Sequence, residues 1–256
     1  MIELQPENTI GGKLVSSQQP SQMPAAATKR WNRRFVAGLV LTVVALVLGS
    51  LAAVMPWWHI DSSVKGQGIL PSTFNWDFSM GAWCYRVYGS YRCTAYGGSS
   101  SSSVVWSEVN SSFGIAFVLL VGGIALTVVT LVMMVIGSRR NKGRTATLVL
   151  GFLGAAFLLG AALYILGVMP GAFNADYRAS YSGMTWSVSG FFGSTLLNID
   201  NGLAVGTETF SYYGALGWWL ALLSAITLLL GTVMMFRRKR TVVQVTGHVT
   251  SPEKAD

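Results

Sequence analysis

Polar and apolar positions along this chain are sorted into long blocks rather than alternating residue by residue. Four stretches, 35–55, 113–136, 145–169 and 214–236, contain no Asp, Glu, Lys, Arg or His. Each exceeds the ~20 helical residues that cross a hydrocarbon core of ~30 Å. Strict period-two alternation, the mark of an outer-membrane barrel strand, is missing from them. The pattern predicts an all-α membrane protein built as a four-transmembrane-helix bundle. Around the spans lie a polar N-terminal arm (1–34), two large loops (56–112 and 170–213), a short basic loop and a basic tail (237–256).

Composition supports this reading. Charged residues make up 11% of the 256 positions and hydrophobic ones 52%; soluble domains carry roughly 25% charged residues. Too little charge is present to cover a water-soluble enzyme of this size, and too much apolar surface for a disordered chain.

Lysine and arginine set the expected orientation. The arm carries Lys13, Lys29, Arg30, Arg33 and Arg34, the short loop Arg139, Arg140, Lys142 and Arg144, and the tail Arg237, Arg238, Lys239, Arg240 and Lys254. These are 14 of the 18 basic residues, leaving Lys65, Arg86, Arg92 and Arg178 in the two large loops beside six acids. The bias predicts a multi-pass protein of the plasma (cytoplasmic) membrane, with both termini cytoplasmic and both large loops outside. The net charge of +8 sits beside span ends, so the expected partner is the lipid bilayer and not nucleic acid. Arg237, Arg238, Lys239 and Arg240 are placed to attract anionic lipid at ~1 kcal/mol per charge. The first span reads as a signal anchor, being longer than a cleavable signal core and preceded by a polar arm. The arm itself, with Pro20 and Pro24 and no periodicity, reads as disordered.

Aromatic residues cluster where spans meet loops: Trp57, Trp58, Trp106, Tyr212, Tyr213, Trp218 and Trp219 on one side, Trp31 on the other. Such rings are expected at membrane interfaces. The small-residue pairs Gly151/Ala155, Ala156/Gly160 and Ala221/Ala225 permit close helix contact.

Candidate chemistry is sparse. Transporters and pumps place ionisable groups within the membrane, and these spans hold none. The histidines, His59 and His248, lie outside the spans, so no bis-histidine haem site forms in the bundle. A Ser/His/Asp triad can be written on paper from His59, Asp61 and a serine, but no spacing requires it. The expectation is a protein without catalytic residues, metal or cofactor, and not an enzyme.

The first large loop has one well-defined segment. A turn at Tyr88-Gly89, or one over Val87 to Ser90, pairs Arg86 with Tyr91, Tyr85 with Arg92 and Cys84 with Cys93. The cysteines then face each other across two antiparallel strands, close enough to bridge. A disulfide fits an outer, oxidising compartment better than a redox pair lacking a relay. A Gly/Ser tract (97–103) separates this hairpin from Val104, Val105 and Trp106, where a returning strand is expected. The outer charges Asp61, Lys65, Asp77, Arg86 and Arg92 nearly cancel and imply no ion preference. Asn110-Ser111-Ser112 is a formal glycosylation sequon at the mouth of span two, an awkward place for modification. In the second loop, Tyr177, Tyr181, Trp186, Phe191 and Phe192 are many aromatics for exposed chain. They are interface candidates, with packing on the first loop as the competing reading.

Taken together, these residues resemble the claudin-like superfamily of four-span proteins, which includes claudins, peripheral myelin protein relatives and channel gamma subunits. Met55-Pro56-Trp57-Trp58 is similar to that family's tryptophan after span one. Gly81-Ala82-Trp83 followed by Cys84 and Cys93 is similar to its Gly-Leu-Trp motif and cysteine pair, although here Cys84 directly follows Trp83. Tyr213-Gly214-Ala215-Leu216-Gly217-Trp218 looks like the start of its last span. The resemblance implies a small extracellular antiparallel β-sheet, made from both outer loops, on a left-handed bundle. It also implies action by contact: lateral or cell-surface association with itself or another membrane protein. The alternative is an accessory subunit of a larger membrane enzyme, channel or transport complex.

Overall fold

The computed structural model describes residues 33–67, 72–87, 90–96, 105–137, 144–180, 187–200 and 205–236. Nearly all of the N-terminal arm lies outside these residues. So do the tail with Arg237, Arg238, Lys239 and Arg240, the Gly/Ser tract, the Tyr88-Gly89 turn, Tyr181 and Trp186.

The four apolar tracts form four helices: α1 (Arg33–Val54), α2 (Ser107–Gly137), α3 (Arg144–Ser180) and α4 (Leu216–Phe236). All four are long and apolar enough to cross a membrane. They pack as a ring in which α2 lies on α3, α3 on α4, α4 on α1 and α1 on α2. Glycines set the closest approaches, because a missing side chain lets two helix backbones come together. A Cβ on Gly38 of α1 would stand 2.8 Å from the Gly231 carbonyl oxygen of α4. One on Gly151 of α3 would stand 2.4 Å from Thr232 Oγ1. Gly151, Ala155, Ala221 and Ala225 therefore serve packing within the bundle, whereas Ala156 is exposed and Gly160 has nothing within 4 Å of its missing Cβ. Buried hydroxyls are satisfied: Thr42, Thr127 and Thr232 donate to carbonyls four residues back, and Ser224 donates across to Ala45 O at 2.6 Å.

Two helices run beyond their apolar tracts. α2 starts at Ser107 rather than Phe113, and α3 continues past Met169 and through Pro170 to Ser180. Proline removes one intrahelical hydrogen bond and usually ends a helix. Here Met169, Phe173 and Asp176, at helical spacing, all point into the core and hold the extra turns in place. At 1.5 Å per residue α3 is about 55 Å long, well beyond a ~30 Å hydrocarbon core.

The remaining described chain makes one antiparallel sheet of six strands: β1 (Trp58–Gln67), β2 (Ser72–Phe78), β3 (Ala82–Val87), β4 (Ser90–Ala95), β5 (Gly193–Asp200) and β6 (Val205–Gly214). Their order is β4-β3-β2-β1-β6-β5. β1 is the seam, pairing with β2 on one side and with β6, from far along the chain, on the other, as in Ile60↔Trp76 and Ile60↔Tyr212. Val105 and Trp106 form no strand; Trp106 instead turns inward just before α2.

Candidate functional site

The sheet is joined to the helices through an aromatic core. Successive strand residues point to opposite faces, so Trp58, Ile60, Ser62 and Val64 of β1 share the buried face with Phe78, Trp83, Phe210 and Tyr212. Trp58 lies at its centre, edge-on to Phe173 of α3 (5.4 Å between centroids) and stacked near Phe191 (6.1 Å). Its indole N–H donates to Phe191 O at 3.0 Å. Trp106 stacks on Phe173 at 5.2 Å, and Phe191 meets Trp218 of α4 at 5.3 Å. Most of the tryptophans expected at a membrane interface, namely Trp57, Trp58, Trp106 and Trp218, are thus buried in this junction. Each large ring removes more apolar area from water here than at a half-wet interface. Tyr213 and Trp219 stay exposed.

The helix ends are tied to the same junction. The Gly217 N–H of α4 donates to Pro56 O at 2.7 Å, Ala215 N–H to Trp57 O at 3.0 Å, and Trp57 N–H to Phe78 O at 2.7 Å. Met55-Pro56-Trp57-Trp58 and Tyr213-Gly214-Ala215-Leu216-Gly217-Trp218, both singled out in the sequence, meet face to face. Gly217 makes this possible, because its Cβ would collide with Met55 O at 2.7 Å.

The opposite face of the sheet is polar. It carries His59, Asp61 and Ser63 of β1, Asp77 and Asn75 of β2, Cys84 and Arg86 of β3, Tyr91 and Cys93 of β4, and Ser211 and Tyr213 of β6. Cys84 and Cys93 are bonded directly across β3 and β4, in the register that the cysteine spacing predicts. Beside them runs a side-chain line. Tyr91 Oη donates to Asp77 Oδ2 at 3.2 Å, His59 Nδ1 lies 2.5 Å from Asp77 Oδ1, His59 Nε2 lies 2.8 Å from Asp61 Oδ1, and Tyr213 Oη donates to Asp61 Oδ2 at 2.9 Å. The Arg86 guanidinium sits 5.5 Å over the Tyr91 ring.

The structure separates the predicted interface aromatics. Phe191 is 4% exposed and belongs to the core, and Tyr177 is half-buried and stacked on Phe173 of α3. Phe192 is 46% exposed beside Trp218 and Trp219. Gly81 is exposed in the β2–β3 turn, with nothing within 4 Å of its missing Cβ, and Trp83 is buried. Asn110 of the sequon sits in the first turns of α2, exposed, while Ser112 is buried and donates to Glu108 O.

Sequence reasoning missed two features. His59, Asp61 and Asp77 converge only because β1 and β2 pair, a relation visible in retrospect from the alternating Trp58, Ile60, Ser62 and Val64. Asp176 of α3, buried, accepts hydrogen bonds from the start of α2, and no local pattern announces it. Among the described residues no group of three or more His, Cys, Asp or Glu side chains is arranged to hold a metal ion. No family model and no curated protein matches the chain.

Proposed function

We propose that this chain is a multi-pass plasma-membrane protein, claudin-like in design, that acts by non-catalytic protein contact through its outer sheet. The observation that carries the reading is the way the sheet is held. It is drawn from both large loops, bridged by Cys84–Cys93, and fixed to all four helix ends by the aromatic junction, so it is a rigid platform with a polar free face. Rigid, preorganised surfaces lose little entropy on association.

Three features support this orientation. The sheet adjoins the C-termini of α1 and α3 and the N-termini of α2 and α4, so both large loops lie at one end of the bundle. Arg33, Arg34 and Arg144, at the first residues of α1 and α3, lie at the opposite helix ends, which the inside bias assigns to the cytoplasm. A disulfide in the sheet fits an oxidising exterior. Single cysteines placed in a Cys84→Ala/Cys93→Ala background test this: Ser194→Cys reacts with a membrane-impermeant maleimide on intact cells, and Thr145→Cys does not.

Contact is tested by native mass spectrometry of the protein extracted from its own membrane in mild detergent. Masses in multiples of 27.5 kDa support self-association. Stoichiometric foreign subunits assign the accessory-subunit role instead, and a monomer under all mild conditions removes self-association as the basis of function.

A further inference from the structure

We propose that His59 is a proton-held staple of β1 onto β2, beside the seam with β6, tight as an imidazolium and released as a neutral ring. This goes beyond the contact role and does not depend on it. The ground is a count of donors. Nδ1 faces Asp77 Oδ1 at 2.5 Å and Nε2 faces Asp61 Oδ1 at 2.8 Å. A neutral imidazole has one N–H and one lone pair, so it can serve only one of two carboxylates; the imidazolium has two N–H groups and serves both. The His59 side chain is 15% exposed, so water replaces a missing donor poorly. Charge-assisted hydrogen bonds of this kind are the strong ones.

The place of the staple gives it leverage. β1 is where the strands that precede α2 meet the strands that follow α3. Asp77 belongs to β2 and Asp61 to β1, and the second oxygen of Asp61 takes the Tyr213 hydroxyl of β6. Loss of one proton therefore removes a donor on β1, next to the seam, and takes one positive charge from the free face.

Polar and titratable groups face the ring from each neighbouring strand. β2 offers Asp77, and β1 offers Asp61 with Lys65 six residues along the same face. β3 offers Arg86 and the bonded Cys84, and β4 offers Tyr91. β6 offers Tyr213, with Thr207, Thr209 and Ser211 otherwise on that face. The two phenols remain donors through neutrality, since desolvation and the neighbouring carboxylates hold both above the usual tyrosine range. Burial pulls His59 down, but hydrogen bonds to Asp77 and Asp61, with their charges, outweigh it and leave the ring above its usual value of 6.5. The sign follows from linkage. A raised folded value means that the staple's stability is fully present below about 6.5 and is lost as pH rises through the folded midpoint above it.

The test uses the full chain in mild detergent, labelled with ¹⁵N-histidine. Only two histidines are present, so the His59 signals are assigned by their loss in His59→Gln. The expected result is two protonated ring nitrogens on His59 at pH 6, a midpoint above 6.5, and a lower midpoint in Asp77→Asn and Asp61→Asn. Amide exchange over 58–67 and 72–78, corrected for intrinsic rates, should rise above the midpoint. The opening equilibrium gains about tenfold for each pH unit by which the midpoint exceeds 6.5. A His59 midpoint at or below 6.5, or exchange that ignores the midpoint, overturns the proposal. His59→Gln should abolish the pH step; if that variant fails to fold, the wild-type titration and exchange decide alone.

Discussion

The Asp176 carboxylate, on α3, caps the first turn of α2 by accepting the Val109 N–H on Oδ2 at 2.9 Å and the Glu108 N–H on Oδ1 at 3.0 Å. Ser107 Oγ donates to the same Oδ1 at 3.0 Å. A helix leaves its first N–H groups without internal partners, and its dipole favours a negative charge there. The usual solution is a side chain at the N-cap position itself. Here the acceptor comes from 67 residues away, so one buried carboxylate both ends α2 and ties it to the turns of α3 beyond Pro170.

Asp176→Ala should therefore destabilise the protein by about 2–3 kcal/mol, since it leaves buried N–H groups without acceptors. Asp176→Asn keeps one acceptor oxygen and should lose roughly half as much. Unfolding in mixed micelles, followed by tryptophan fluorescence, measures both. An alanine variant as stable as wild type would show that water or a neighbouring group satisfies those amides.

The Cys84–Cys93 bond closes a short loop between paired strands. In the chain-entropy account such a loop contributes about 2–3 kcal/mol. Cys84→Ala/Cys93→Ala should loosen β3 and β4 while the helices keep their far-ultraviolet signal. Amide exchange over 82–95 should rise, with that of α2 and α4 unchanged. Loss of the helical signal together with the hairpin would mean that sheet and bundle unfold as one unit.

Two glycines in comparable apolar helices should respond oppositely to alanine. At Gly217 the new methyl meets Met55 O, Pro56 O and Trp57 Cδ1, all under 3.0 Å and two of them backbone, so α4 must shift from the junction. Overpacking of this kind costs about 1–3 kcal/mol. At Gly160 the space is open, and the better helix propensity of alanine should contribute up to ~1 kcal/mol of stability. Thermal unfolding of Gly217→Ala and Gly160→Ala in one detergent makes the comparison; equal Tm values would contradict the close contact at Gly217.

How far the sequence speaks depends on the range of each interaction. The four apolar helices are legible because a tract long and apolar enough to cross a membrane carries its signal in every residue. The Cys84↔Cys93 register is legible because a hairpin is local, with its pairing fixed by counting outward from the turn. Helix ends are less so: Pro170 punctuates a tract whose periodicity, Met169, Phe173, Asp176 and Tyr177, continues past it, and the tertiary hold on Phe173 wins. The β1–β6 pairing and the meeting of His59 with Asp77 and Tyr213 arise from contacts across large sequence separations. The residues themselves advertise nothing, because an isolated His, Asp or Tyr on a polar face looks like solvated surface until the register is known.

Tyr213 offers a check on that register from the alkaline side. Desolvation, then the hydrogen bond to Asp61, then the charges of Asp61 and Asp77 push its phenol up to about 12. An unperturbed phenol ionises near 10, so the folded protein holds this proton more tightly than the unfolded chain does. Stability linked to Tyr213 is accordingly complete below about 10 and is lost as pH rises from there through the folded value. Ultraviolet titration of wild type against Tyr213→Phe should isolate one phenolate appearing near the top of that window. Asp61→Asn removes both an acceptor and a charge, and should bring that phenol down while part of the desolvation effect remains. If the difference spectrum instead shows a phenol ionising near 10 that Asp61→Asn does not move, then Tyr213 does not reach Asp61. The side-chain line on the polar face from β1 to β6 would then be broken at that link, with the backbone pairing of the two strands and the Ser62–Glu208 hydrogen bond on the other face left to join them.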